Sequence, residues 1–126
     1  MVTGVRKEGL TAEIAVRDHR LISGVVEKLG GHDEGLNPHE LLEAALVGCT
    51  IITAQMYANR KGMKLESTDV TVKVVSESKE SSVISREVSF RGDLTDEDRA
   101  RLAEIVNKCP IHNLLESQIK IDTVVK

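Results

Sequence analysis

Aromatic residues are nearly absent from this chain of 126: it has no Trp, one Phe (Phe90) and one Tyr (Tyr57). A platform for stacking nucleic-acid bases is thereby excluded, and the core has to be aliphatic. Cysteine is almost as scarce, with only Cys49 and Cys109. Two thiols cannot staple a disulfide-dense secreted miniprotein, and together with four scattered His they match no zinc spacing. Positive charge is not in excess either: 17 Lys and Arg face 20 Asp and Glu, for a net charge of −3 and a pI near 5.8. A nucleic-acid binder would carry a basic footprint. No apolar run approaches the ~18 residues of a membrane-crossing helix, and no charged-then-apolar leader opens the chain. Neither nucleic acid nor membrane is therefore an expected partner, and the cytoplasm is the expected location. What is present, 40% hydrophobic and 29% charged residues, describes one globular domain over residues 1–126.

Val2–Lys7 reads as a strand turned by Glu8-Gly9, and Leu10, Ala12, Ile14 and Val16 alternate with Thr11, Glu13 and Ala15 as a half-buried second strand. Arg17-Asp18-His19 is turn-like, and Arg20–Ile22 starts a third short strand. Val25–Leu29 is ambiguous. Gly30–Asn37 is a loop, its Gly30-Gly31 pair suited to a positive φ and lacking the context of a phosphate loop. Asn37 then has the character of a helix cap, with Pro38 suited to the first helical position and Glu40 three residues after the cap. The apolar run continues through Tyr57 and stops at Arg60-Lys61-Gly62, a helix of about 24 residues. Leu42, Ala45, Leu46, Cys49, Ile52 and Met56 share one face, and Leu41, Ala44, Val47, Ile51 and Ala54 cover much of the rest. A helix apolar nearly all round has to be covered on more than one side, which predicts a second subunit across a two-fold axis.

Beyond Gly62, Val70, Val72 and Val74 form one strand, and Ile84, Val88 and Phe90 share a face with Arg86 on another, around the polar turn Ser76–Ser82. Thr95 and Asp98 resemble a capping box, and Leu102, Ile105 and Val106 give the second helix its stripe. Pro110–Leu115 starts a short third helix, and Ile119, Ile121, Thr123 and Val125 alternate as a last strand. The order hairpin, long helix, hairpin, helix, strand is an α+β class.

The two thiols differ in setting. Cys109 precedes Pro110 and so occupies the cap of the short helix, where backbone N–H groups favour a thiolate. Cys49 lies mid-helix, where desolvation alone would leave it inert unless a cation or donors reach it from elsewhere. They are sixty positions apart, which rules out a local CxxC motif. Filler for the core is the plain alternative for either one. His112, three residues after Cys109, shares its helix face, as an aid to its deprotonation or as a capping or surface His. His32 and His39 border the loop before the long helix.

The stretch GGHDEGLNPHELLEAALVGCTIITAQMYANRKGMKLE, with Asn37-Pro38 ahead of Cys49, resembles the signature of the OsmC/Ohr family of thiol peroxidases and hydroperoxide-resistance proteins. LTDEDRARLAEIVNKCPIHNLLES resembles that family's second cysteine helix, and the likeness covers about residues 28–126. The resemblance implies an OsmC-like α+β fold in an intertwined homodimer with active sites at the subunit interface. It further implies a peroxidatic Cys49 that attacks an organic hydroperoxide and becomes a sulfenic acid. Cys109 resolves it as a disulfide, and an external dithiol reduces that disulfide. No metal or other cofactor is implied. The family's thiolate-stabilising Arg has Arg20 as its candidate here, with Arg17 and Arg6 behind it. The Glu that holds that Arg falls at His39 in one branch of the family, and Glu40 is the neighbouring supporting candidate. Two other readings stay open: a non-catalytic binder of a small apolar or acyl ligand, and a thiol redox sensor.

Overall fold

A computed structural model describes residues 1–126. They gather into two compact units, Met1–Leu42 and Glu43–Lys126. The architecture is α+β, with three helices and two antiparallel sheets.

In the first unit, β1 (Thr3–Arg6), β2 (Ala12–Val16) and β3 (His19–Ser23) form a three-stranded antiparallel sheet in the order β1-β2-β3. Ile14 lies opposite Leu21 and Val16 opposite His19, so the alternating residues of β2 share a face with their partners. The ambiguous stretch after β3 resolves into a 3-10 turn over Glu27–Leu29 that ends at Gly30, whose φ of 97° only Gly adopts without strain. The loop that follows folds back on the end of β3: Ser23 Oγ donates to the Leu36 carbonyl at 2.8 Å, and Asp33 N–H to the Val25 carbonyl at 2.8 Å.

Helix α1 (Pro38–Lys61) begins and ends where the sequence predicts. Asn37 Oδ1 accepts from the Glu40 N–H and Glu40 Oε1 from the Asn37 N–H, both at 2.9 Å, a reciprocal capping box. At the other end Gly62 takes a φ of 69° and the Met63 N–H returns to the Ala58 carbonyl at 2.9 Å, a left-handed stop. By length and composition α1 is also apolar enough to cross a membrane, which corrects the expectation that no segment is. The isolated Glu43, Thr50, Thr53 and Gln55 break the unbroken runs without lowering the average enough.

In the second unit, the residues of α1 that become buried are Leu46, Thr50, Ala54 and Ala58, a single stripe at four-residue spacing. Small residues at 54 and 58 let neighbouring elements approach closely. Ala54 and Ala58 join Leu65, Leu102 and Val106 in the core, with Tyr57, Met63, Phe90 and Leu94 packed around them. Within the face that also carries the buried Leu46 and the half-buried Cys49, Ile52 and Met56 stay open, 59% and 66% exposed.

The hairpin of β4 (Lys64–Glu77) and β5 (Ser82–Asp93) is longer than its alternation predicts. Irregularities in register between Leu65 and Ser67 and between Val74 and Ser76 shift the phase, so the simple period of two is legible only from Val70 to Val74. Glu43 Oε2 accepts the Val74 N–H at 2.9 Å, which ties α1 to the second irregularity. Ile84, Arg86, Val88 and Phe90 are all half-buried while Ser85, Glu87 and Ser89 are exposed.

Helix α2 (Asp96–Val106) carries the expected capping box, with Thr95 Oγ1 accepting from the Asp98 N–H at 3.0 Å. Helix α3 (Pro110–Glu116) follows. The strand expected over 119–125 does not form, and Ile119, Ile121, Val124 and Val125 are 57–89% exposed. A strand exists only by pairing its backbone groups, and this segment has no pairing partner within the chain.

Candidate functional site

Cys49 projects from the middle of α1, half-buried, and Cys109 is fully buried at the cap of α3. The Cys109 Sγ accepts the His112 N–H at 3.3 Å, which satisfies an N-terminal donor of α3 as an oxygen cap would. Pro110 at the first helical position has no N–H to offer, so Ile111 and His112 supply the first free donors. The Ile111 backbone N–H favours the thiolate of Cys49. One short helix start therefore addresses both thiols.

The setting of Cys49 is the one its mid-helix position required for reactivity. Burial pushes its thiol up, but the Ile111 N–H, the Cys109 thiol, the Thr53 hydroxyl and the positive charge of Arg86 together hold it below the ordinary thiol range. The Thr53 Oγ1 lies 3.8 Å from the sulfur, one turn along the same helix.

Arg86 is the cation at the site. Its Nη1 donates to Thr50 Oγ1 at 3.1 Å and to Cys109 Sγ at 3.9 Å. Its Nη2 donates to Asn107 Oδ1 at 2.9 Å and to His112 Nδ1 at 3.0 Å. The four partners come from α1, the α2–α3 connection and α3, and none is a carboxylate. The full positive charge is thus held in place without direct neutralisation.

The guanidinium beside the sulfurs is therefore that of Arg86, where the sequence pointed to Arg20. Arg20 is exposed on β3 of the N-terminal sheet, opposite Ala15. Glu40 is engaged in the capping box of α1, and no Glu contacts Arg86 directly. Arg86 itself carried a readable signal: an Arg at an inward position of a strand otherwise lined by Ile84, Val88 and Phe90. A charge is not placed among apolar neighbours without partners, and those partners lie 21 to 36 positions away in the chain. No cluster of three or more His, Cys, Asp or Glu side chains gathers as a metal site.

A groove of about 500 Å³ opens next to this cluster. Leu46, Ile84, Val88, Phe90 and Val106 give it apolar walls, while Arg86, Asn107, His112 and Glu116 supply polar lining. Neither sulfur lines it, so the groove and the thiols share Arg86 and His112.

Comparison with known proteins bears on the fold and the family. The fold is similar to an OsmC-like protein of Mycoplasma pneumoniae, at 18% identity and a TM-score of 0.74, over 92% of this chain and 86% of that one. It is similar to an organic hydroperoxide resistance protein of Legionella pneumophila, at 19% identity and a TM-score of 0.64, over 92% and 88% of the two chains. An organic hydroperoxide resistance protein of Elizabethkingia anophelis, with thiocyanate bound, matches at 20% identity and a TM-score of 0.67, over 94% and 89%. No curated protein shows significant similarity to the chain. The family described as OsmC-like protein matches residues 31–124, which takes in the cap of α1, both thiols, Arg86 and His112. With three quarters of its length so matched and its fold shared, the chain belongs to the OsmC-like family.

Proposed function

We propose that this chain is a thiol peroxidase that reduces organic hydroperoxides. The observation that carries the reading is the joint setting of the two sulfurs: Cys49 held below the ordinary thiol range, with Cys109 and Arg86 at its side. The Cys49 thiolate attacks the outer oxygen of the hydroperoxide and the O–O bond breaks. The alkoxide takes up a proton equivalent to the one Cys49 released and leaves as an alcohol, while Cys49 becomes a sulfenic acid. The Cys109 thiol then attacks the Cys49 sulfur, an S–S bond forms and water leaves. An external dithiol restores both thiols by two exchange steps and is itself oxidised to a disulfide. No metal or bound cofactor enters this scheme, and a cytoplasmic dithiol suits it.

The burial of Cys109 suits the resolving role, since a sealed thiol is spared direct oxidation and meets only its neighbour. The apolar walls of the groove favour an alkyl over a hydrophilic peroxide. Similar proteins named for organic hydroperoxide resistance support the same class. The exposed Ile52 and Met56 on α1 and Ile121 and Val125 at the end of the chain support the intertwined homodimer that the family resemblance implies.

The test is consumption of cumene hydroperoxide in the presence of dithiothreitol or dihydrolipoamide. Cys49→Ser abolishes turnover. With the dithiol left out, one equivalent of hydroperoxide adds one oxygen to the intact mass of Cys109→Ser, whereas the parent protein loses two hydrogens in a Cys49–Cys109 link. A second reading rests on the groove, which neither sulfur lines: binding of a small apolar or acyl ligand without chemistry. Absence of turnover with every dithiol, together with saturable binding of a medium-chain fatty acid, replaces the first reading with the second. A stable sulfenic Cys49 in the unmodified protein points to a redox sensor instead.

A further inference from the structure

Among the groups that hold the Arg86 guanidinium is an imidazole, that of His112. A guanidinium has only donors, so the 3.0 Å contact between Arg86 Nη2 and His112 Nδ1 requires a lone pair on Nδ1. The proton of the neutral ring then sits on Nε2, which donates to Glu116 Oε1 at 2.8 Å. The chain Glu116–His112–Arg86 thus has one consistent set of protons, and it ends at Cys109 Sγ and the field felt by Cys49.

The physical consequence concerns charge. A carboxylate in direct contact would fix the guanidinium but cancel much of its field. A neutral imidazole fixes it by a hydrogen bond and leaves the field to act on sulfur, while the carboxylate stands one residue further out, in solvent, with Glu116 74% exposed. Asn107 and Thr50, the other two firm acceptors, are also neutral. We infer that His112, oriented by Glu116, is a positioning residue that aims Arg86 at the two thiols. This rests on the peroxidase reading for its purpose but not for its geometry.

The experiment follows Cys49 alkylation by iodoacetamide against pH, read by peptide mass, beside cumene hydroperoxide turnover in the same proteins. His112→Ala removes the acceptor: the alkylation midpoint moves up by about one pH unit, and alkylation well below that midpoint slows about tenfold. His112→Asn places an amide oxygen near the position of Nδ1 and restores the rate to within about threefold of the parent, the scatter of a re-made hydrogen bond. Glu116→Ala, a surface change with no risk to folding, moves the midpoint the same way by less. A His112→Ala profile that superimposes on the parent overturns the inference. So does an equal loss in His112→Ala and His112→Asn, which would mark His112 as packing alone. If the alkylation order holds while even the parent protein turns over no hydroperoxide, the positioning role stands and the peroxidase reading falls.

Discussion

Arg86 on β5 and Thr50 on α1, 36 positions apart, are joined by a 3.1 Å hydrogen bond that fixes the guanidinium against the buried face of the helix. Thr50 is fully buried, and its hydroxyl also donates to the Leu46 carbonyl at 2.7 Å. Its proton is therefore spent within the helix, and its free lone pair faces Arg86. The pair is how a helix of the core and a strand of the hairpin come to meet at one cation.

Thr50→Val keeps the shape and removes that acceptor. The expected cost is about 1–3 kcal/mol of stability, because one guanidinium N–H loses its partner in a half-buried setting. Urea denaturation measures it. Cys49 alkylation slows as Arg86 loosens, whereas Thr50→Ser retains both properties.

Arg86→Met tests the electrostatic term. The parent Cys49 thiol ionises below the ordinary thiol range, so its alkylation rate rises with pH earlier than that of a free thiol. Without the Arg86 charge, desolvation is less well opposed, and the midpoint moves up. The linkage has a definite sign. A thiol whose folded value is depressed stabilises the fold fully above its unfolded value, and that contribution is lost as pH falls through the folded value. Thermal melting of the parent protein should therefore rise with pH across this window, and the Arg86→Met slope should be shallower. An equal slope in both proteins contradicts the assigned role of the charge.

Leu102→Ala tests the core that carries the site. Leu102 is fully buried between Ala54, Ala58, Leu65 and Val106. Truncation leaves a cavity and costs about 2–5 kcal/mol, read as a lower urea midpoint with the slope retained. Leu114, 55% exposed on α3, is the control, and Leu114→Ala should change stability by less than about 0.5 kcal/mol.

Local chemistry made much of this protein legible. The cap at Asn37, the stop at Gly62 and the box at Thr95 and Asp98 mark helix ends because each is settled by residues within a turn of the end. The phase of Val70–Val74 and of Ile84–Phe90 likewise shows in the sequence, since alternation is a property of neighbours. The register irregularities are less visible, because they hide the alternation that would announce the rest of each strand. The terminal segment shows the opposite error: its alternation is strand-like, but pairing is a property of a partner, and 119–125 has none in the chain.

The sequence by itself determined the helices, the two thiols and the family, because caps, periodicity and the Asn37-Pro38, Cys49 and Cys109-Pro110 signatures are all written along the chain. Which guanidinium lies beside the thiols, and which groups it bonds, was decided only by the tertiary structure. Arg86 meets Thr50, Asn107 and His112 across 21 to 36 positions. An ion placed among apolar neighbours announces that it must find partners, but only the packing of β5 against α1 and α3 names them.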